Sequence, residues 1–164
     1  MAFDAFLKID GVNGESKDSV HQNEIDVMSY TWGGSQPTGS TYGGGGGVGK
    51  FNAQDLTITK RMDIASPNLF QNCASGKPFD SAVLTIRKAG GGSPVEYLKY
   101  TMTNVIVTSF QNSGMAGGTE DVPTEHVSLS FSAITVDYTQ QDETGTASGN
   151  ASAGWDLKAN KAAA

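Results

Sequence analysis

An alternation of apolar and polar residues is the feature of this sequence that most constrains its fold. From Phe3 to Ile9 every second residue is apolar, while Asp4 and Lys8 occupy positions between them. Successive side chains of a β-strand point to opposite faces of a sheet, so this alternation predicts a strand with one buried face. The same pattern recurs along the chain, which predicts a mainly β fold.

Further strands are predicted wherever the alternation returns. They cover residues 23–32, 50–62, 81–88, 95–111 and 125–140, with a short final strand at 154–158. The strand at 23–32 has apolar residues on both faces, which predicts that both faces are covered. In 125–140 the apolar parity changes between Phe131 and Ile134, and such a shift predicts a β-bulge or sharp bend near Ala133.

Residues 66–76 form the one predicted helix. Ser66 can cap its N-terminus, Pro67 suits the first helical position, and Gly76 can end the helix. One side of this helix would carry its apolar residues, which are Leu69, Phe70, Cys73 and Ala74. The predicted fold class is therefore mainly β with one short helix.

Glycine and small polar residues mark the connections between these elements. Residues 33–49 form a long extended loop that includes the run from Gly43 to Gly47, and loops of this length are usually functional or disordered. Residues 140–153 are small and polar and predict a second loop, and residues 161–164 predict a tail. A chain of 164 residues has room for one domain, predicted to cover residues 1–164.

The charge distribution argues against nucleic-acid binding. The formal net charge is −6, and the two basic pairs, Lys60-Arg61 and Arg87-Lys88, are predicted to be charges at strand ends. Binding to phosphates requires a clustered basic face, which the sequence lacks. Only 17% of the residues are charged, a composition that suits a subunit partly covered by its neighbours.

Neither a disulfide nor a secretory or membrane segment is predicted. Cys73 is the single cysteine, so no disulfide can form within the chain. The N-terminus lacks the basic region and apolar run of a secretory signal, and no stretch is long and apolar enough to insert into a membrane. The chain is therefore expected to be made and folded in the cytosol.

The glycine run contains a match to a phosphate-binding loop, which we interpret as coincidental. Gly44 and the pair Gly49-Lys50 have the spacing of that motif, but Phe51 stands where a Ser or Thr would coordinate magnesium. The run also leads into a predicted strand, so no helix N-terminus is available to a phosphate. No nucleotide or other cofactor is predicted.

Catalytic and metal sites are not predicted either. His21 and His126 lie far apart in the sequence and are expected to be exposed or hydrogen-bonded, and Cys73 is expected to be a buried, inert thiol. A glycine-framed nucleophile is also lacking. The sequence favours a protein that works by association over an enzyme.

Aromatic residues are numerous for a chain with one predicted helix. They include Trp32, Tyr42, Phe51, Tyr97, Tyr100 and Trp155. Two interpretations stay open, because these side chains can fill the internal core or form subunit contacts, where aromatic residues are enriched.

Motifs along nearly the whole chain resemble one family. They are FLKIDG at 6–11, GESKD at 14–18, EIDV at 24–27, Trp32-Gly33, Gly49-Lys50, PNL at 67–69, CASGK at 73–77, LTIRKAG at 84–90, VDY at 136–138, and Gly154-Trp155-Asp156 with Asn160. In this order they resemble Hcp, the haemolysin-coregulated protein family of bacterial type VI secretion systems.

The resemblance implies a two-sheet β-barrel with one flanking short helix and an extended glycine-rich loop, similar to phage tail-tube subunits. It also implies a homohexameric ring that stacks into the inner tube of the secretion apparatus and is ejected into target cells. Such a protein is made in the bacterial cytoplasm and secreted through the apparatus without a signal peptide. The implied partners are further copies of the chain, a VgrG-type spike protein, sheath proteins and small effector toxins carried in the ring lumen.

The resemblance also suggests residues for these contacts. Thr31 occupies the place of a small hydroxyl residue that faces the lumen in the family, so it is the candidate contact for an effector. Candidates for contacts between rings and subunits lie in and beside the extended loop, at Gly33, Gly34, Gln36, Tyr42, Gly45, Gly47 and Lys50. The alternative function is a stand-alone, ring-shaped effector-binding module that is not assembled into a tube.

Overall fold

The computed structural model describes residues 2–38, 49–88 and 94–163. Within these ranges the strands are β1 (Phe3–Ile9), β2 (Ile25–Val27), β3 (Ser29–Thr31), β4 (Gly34–Ser35), β5 (Asn52–Ala53), β6 (Leu56–Arg61), β7 (Phe79–Lys88), β8 (Glu96–Ser113), β9 (Thr124–Ser130), β10 (Ala133–Gln141), β11 (Ala147–Asp156) and β12 (Lys161–Ala162). A helix, α1 (Ser66–Ser75), lies between β6 and β7. The predicted mainly β fold with a short helix is confirmed.

Two antiparallel sheets share the long strand β8. The first sheet has the strand order β12-β11-β10-β8-β7-β1-β2, and it uses the first part of β8, residues 96–105. The second sheet has the order β3-β6-β9-β8, and it uses residues 106–113. We call this second sheet the four-stranded sheet.

The chain passes from the first sheet to the four-stranded sheet at Met28, between β2 and β3. β2 pairs with β1 and β3 pairs with β6, while the N–H of Met28 donates a hydrogen bond to the carbonyl of Thr59 at 2.8 Å. The ladder is interrupted there, so the predicted barrel is two packed sheets rather than one continuous closed ladder. The change of sheet also explains why residues 23–32 carry apolar residues at both parities, which we predicted to reflect two covered faces.

The core lies between the two sheets. Its fully buried members come from strands of both sheets and include Leu7, Ile25, Leu56, Ile58, Leu84, Met102 and Leu129. Burying one such side chain stabilises the fold by about 1.5–3 kcal/mol. The period-2 alternation of the sequence therefore identifies the core face of most strands.

The bend predicted near Ala133 is confirmed. β9 ends at Ser130 and β10 begins at Ala133, and the N–H of Ser132 between them donates to the carbonyl of Thr103 at 2.9 Å. β9 pairs with β6 and with the second part of β8, whereas β10 pairs with the first part of β8 and with β11. The change of parity therefore marks the point where the chain passes from one sheet to the other.

The helix is confirmed at its C-terminus and corrected at its N-terminus. Gly76 has a φ of 69° and its N–H donates to the carbonyl of Asn72, a left-handed cap that favours glycine. Ala65, not Ser66, is the N-cap, and the buried Ser66 hydroxyl instead donates to the carboxylate of Glu125 at 2.8 Å. The Ser66 side chain therefore hydrogen-bonds to a buried carboxylate and does not cap the helix.

The predicted apolar face of α1 is only partly used in the core. Leu69 is fully buried, Cys73 is half-buried, and Phe70 is 60% exposed. The ring of Phe70 nevertheless contacts the ring of Phe110 on β8, with 6.1 Å between the ring centres. The helix spans ten residues, and among the described ranges no helix is long and apolar enough to cross a membrane.

The loop predicted at residues 140–153 is wrong over most of its length. β10 runs to Gln141, and β11 begins at Ala147 and pairs with it, so only a short turn separates them. Residues 147–153 are exposed Ala, Ser, Gly and Asn, so this strand has no apolar face and no visible alternation. The predicted strand at 154–158 overlaps the end of β11, and part of the predicted tail forms β12.

Candidate assembly and cargo surfaces

Thr31 lies at the end of a row of hydroxyl side chains that crosses the four-stranded sheet. It is exposed on β3 and lies directly opposite Thr57 of β6. Thr57 lies opposite Ser128 of β9, which in turn lies opposite Ser109 of β8. The hydroxyl oxygens of Thr57 and Ser128 are 2.9 Å apart, so these two members of the row are hydrogen-bonded.

A second row of polar side chains runs beside the first. Its members are Ser29, Thr59, His126 and Gln111, again one from each strand. The Thr59 hydroxyl lies 3.1 Å from Nδ1 of His126, which confirms the expectation that this histidine is exposed or hydrogen-bonded. We call the two rows together the hydroxyl face; it contains no Asp, Glu, Lys or Arg.

Sequence reasoning identified only Thr31 of the hydroxyl face. A usable signal was present, because Thr57 and Thr59, like His126 and Ser128, occupy the polar parity of strands whose other parity is apolar. What the sequence could not supply is the strand order that places these residues side by side.

The four-stranded sheet has a free edge on each side. β3 pairs with β6 only, and residues 106–113 of β8 pair with β9 only, among the strands that the structure describes. A free edge presents unpaired backbone N–H and C=O groups to another chain. The two edges belong to different strands, so they are different surfaces.

The extended loop begins as a two-stranded ribbon. Gly34 pairs with Ala53, and the N–H of Gly49 donates to the carbonyl of Pro37 at 3.0 Å. The ring of Phe51 packs directly against Gly34, so a side chain at this position would displace that ring. The base of the predicted loop is therefore ordered as β4 and β5.

The other loop candidates are distributed along this ribbon or beyond it. The carbonyl of Gly33 accepts a hydrogen bond from the N–H of Gln54 at 2.9 Å, and both Gln36 and Lys50 are exposed. Tyr42, Gly45 and Gly47 lie outside the described residues.

Several of the predicted contact aromatics belong to the internal packing. Trp32 is half-buried and packs against Tyr100 and Phe131, with ring centres 5.8 and 6.3 Å away. Burial and a hydrogen bond with Tyr100 raise the pKa of Tyr30 to about 12. Of the two interpretations left open for the aromatics, the core explains Trp32 and Tyr100.

A segment at residues 11–24 covers the face of β1 that points away from the core. His21 in this segment stacks on the ring of Phe6 at 4.5 Å between centres. Its Nδ1 lies 2.8 Å from the carboxylate of Glu24, and its Nε2 lies 2.7 Å from that of Glu96 on β8. We call residues 11–24 the covering segment; His21 is hydrogen-bonded, as expected.

Arg87 attaches the covering segment to β7. Its guanidinium donates to both carboxylate oxygens of Asp18 and lies 4.9 Å from the ring centre of Phe6. The hydrogen bond from Arg87 lowers the pKa of Asp18 to about 2. Arg87 lies at the end of β7, as predicted for a strand-end charge, and neighbouring side chains bury it.

Lys60 also lies near the end of its strand, β6, as predicted, and it is fully buried. Its Nζ lies 2.6 Å from the carboxylate of Glu125, 2.8 Å from that of Asp63 and 3.1 Å from the hydroxyl of Ser66. Glu125, which is also fully buried, accepts a further bond from Asn112 at 3.2 Å. This group ties β6, β9 and the start of α1 together.

Comparison with known proteins decides the family. The family model described as Type VI secretion system effector, Hcp, matches residues 6–138. The chain is 48% identical over 161 residues to Protein hcp1 of Pseudomonas aeruginosa, and the match covers 98% of each chain. The chain belongs to the Hcp family.

Solved structures agree with this assignment. Hcp1 from Salmonella typhimurium has a TM-score of 0.82 and 44% identity, with 99% of this chain and 100% of that chain covered. A structure described as a type six secretion system protein has a TM-score of 0.90 and 34% identity over 99% of this chain and 100% of that chain. The predicted resemblance to Hcp, and with it a protein of type VI secretion, is confirmed.

Proposed function

We propose that this Hcp family member is the structural subunit of a type VI inner tube. Six copies close into a ring, rings stack into a tube, and the tube is ejected into a target cell when the sheath contracts. The observation that carries this proposal is the pair of unlike free edges on the four-stranded sheet. The subunit works by association and carries out no reaction.

The strand directions favour closure of a ring through these edges. β3, β6, β9 and β8 alternate in direction, because every pairing between them is antiparallel. β8 of one copy and β3 of the next therefore have opposite directions and can continue the same antiparallel sheet. Such a contact joins two different surfaces, which is the kind of interface that generates a closed ring.

The hydroxyl face supports a role in carrying small effectors. When the sheets of neighbouring copies are joined edge to edge, this face becomes a continuous wall with Thr31 next to each junction. A wall of neutral hydroxyl and amide groups holds a cargo through hydrogen bonds and not through charge. Carriage of small effector toxins in the lumen is thus part of the proposed function.

The remaining partners follow from the same proposal. The β4–β5 ribbon with Gln36 and Lys50 is the proposed contact between stacked rings. A VgrG-type spike binds at one end of the stack. The sheath proteins surround the tube. Synthesis takes place in the bacterial cytoplasm, and secretion occurs through the apparatus.

Cross-linking of the two edges tests ring closure. In a Cys73→Ser background, Ser29→Cys on β3 and Gln111→Cys on β8, two exposed residues of the same row, are combined and treated with a flexible bismaleimide. We expect a denaturing gel to show a ladder that ends at six copies. Either cysteine alone is the matched control and gives dimers at most, and a double variant that also stops at dimers would contradict edge-to-edge closure.

A charge in the hydroxyl face separates cargo binding from assembly. We expect Thr31→Arg to keep the ring mass of the wild type and to lose co-purifying effector, because a cation disrupts a neutral hydrogen-bonding wall. Thr31→Ser is the control that keeps the hydroxyl and should retain the effector. The stand-alone effector-binding module is the second candidate. Rings of wild-type protein that bind effector but never stack into tubes would favour it.

A further inference from the structure

A cleft of about 290 Å³ lies apart from the hydroxyl face and the ribbon. It opens where β2 passes into β3, beside the end of β6 and the segment that precedes β9. Its lining residues are Glu15, Asp26, Val27, Met28, Arg61, Met62, Asp63 and Val122. We call it the methionine cleft.

The floor of the methionine cleft is apolar and accessible. Met28 is 52% exposed, Met62 is 44% exposed and Val122 is 38% exposed. Clusters of exposed apolar side chains rimmed by polar residues mark interaction sites. Methionine side chains adapt to irregular partners, so such a floor suits a bulky apolar side chain of another protein.

The backbone under the two methionines is fixed by hydrogen bonds. The N–H of Met28 donates to Thr59 at 2.8 Å, and the N–H of Met62 donates to Pro123 at 2.9 Å. The cleft is therefore built into the junction of β2, β6 and β9, and its shape does not depend on a loop alone.

The rim of the cleft is negatively charged. Glu15, Asp26 and Asp63 lie around it, and its one cation, Arg61, is paired with Glu120 at 3.3 Å. The charge of Asp63 is not cancelled within the fold, because its buried partner Lys60 is shared with Glu125.

The pKa of Asp26 is raised by its burial and by this negative charge. Partial burial raises the pKa of its carboxyl group, and the negative charges of Asp63, Asp18 and Asp4 raise it further. A hydrogen bond from Ser16 acts in the opposite direction. A positively charged partner group would relieve the repulsion at this carboxylate.

We propose that the methionine cleft binds an extended segment of a partner protein, which inserts a bulky apolar side chain between Met28 and Met62 and places Lys or Arg beside Glu15 and Asp26. The apolar floor supplies the burial and the carboxylate rim selects the flanking charge.

Methyl NMR of the full chain tests the proposal, with the methionine methyl groups labelled with carbon-13. The probe is a short capped peptide in which leucine and phenylalanine are flanked by lysines. We expect the signals of Met28 and Met62 to shift on titration. Met102, which is buried, and Met115, which is 82% exposed elsewhere, are internal controls and should not shift.

Two matched peptides and a matched variant separate the contributions of floor and rim. Glutamates in place of the lysines, or serines in place of the apolar pair, should each abolish the shifts. Glu15→Gln with Asp26→Asn should weaken binding by about 3- to 10-fold, as expected for two exposed charge pairs. Asp10→Asn removes an exposed carboxylate outside the cleft and should leave binding unchanged.

Three results would overturn the proposal. The first is a Met115 shift as large as that of Met28, which indicates non-specific adsorption. The second is equal binding of the glutamate peptide. The third is a concentration-dependent shift of Met28 and Met62 without peptide, which would assign the cleft to a second copy of the chain.

Discussion

At the scale of single residues, two buried charges define the junction of β6, β9 and α1. Lys60 and Glu125 are paired across the two strands, and Asp63, Ser66 and Asn112 complete their polar contacts. Burying an ion costs several kcal/mol, and removing one member of such a pair leaves the other uncompensated. The fold therefore accommodates these buried charges only when both ions of the pair are present.

Removing the cation alone should lower the free energy of unfolding far more than removing both members of the pair. We expect Lys60→Met to lower the free energy of unfolding by about 3–5 kcal/mol, because Glu125 then remains buried without its cation. The double variant Lys60→Met with Glu125→Leu should recover most of this loss. Urea unfolding measures both, and equal losses in the single and double variants would contradict the account.

The sequence contained a partial signal for this buried pair. Lys60 shares the parity of Leu56 and Ile58, and Glu125 shares that of Val127 and Leu129, so alternation places both on core faces. The sequence predicted Lys60 only as a charge at the end of a strand, and its burial was not predicted. Its partner is distant in sequence, and only the strand pairing reveals it.

At the scale of elements, alternation predicts a strand only where one face is buried. It succeeds for β1 and β7 and for the bend between β9 and β10, because those strands face the core. It fails for β11, whose exposed residues are small and polar, and which is held by pairing with β10. Alternation also does not predict that the strand at 23–32 is divided at Met28, because β2 pairs with β1 in one sheet and β3 pairs with β6 in the other.

The covering segment provides an element-scale test with a defined pH dependence. Arg87 lowers the pKa of Asp18 from 3.8 to about 2, so the folded state favours the ionised carboxylate. This stabilisation is fully present above pH 3.8 and is lost as the pH falls towards about 2. The segment should therefore loosen on acidification through this interval.

We expect Asp18→Asn to remove this part of the acid sensitivity. Its free energy of unfolding should be lower than that of the wild type at neutral pH, and the difference should shrink as the pH approaches about 2. Urea unfolding at a series of pH values gives both curves, with Asp10→Asn as the control for an exposed carboxylate. Parallel curves for Asp18→Asn and the wild type would show that the Arg87 contact contributes nothing.

At the scale of the whole molecule, the Hcp family assignment and the free edges lead to the same assembly. The proposed cargo surface, which includes Thr31, lies on the four-stranded sheet, and the proposed ring closes through the edges of the same sheet. The motifs of the sequence were sufficient to identify the family and the fold class. The hydroxyl face and the methionine cleft needed the strand order, since their residues come from distant parts of the chain.

The absolute mass of the purified protein tests the central claim of ring closure most directly. Light scattering during size-exclusion chromatography, over a wide range of protein concentrations, distinguishes the possible assemblies. The account predicts a species of six copies that persists on dilution, because two unlike edges join around a closed ring. A monomer at every concentration would contradict closure through the edges of β3 and β8.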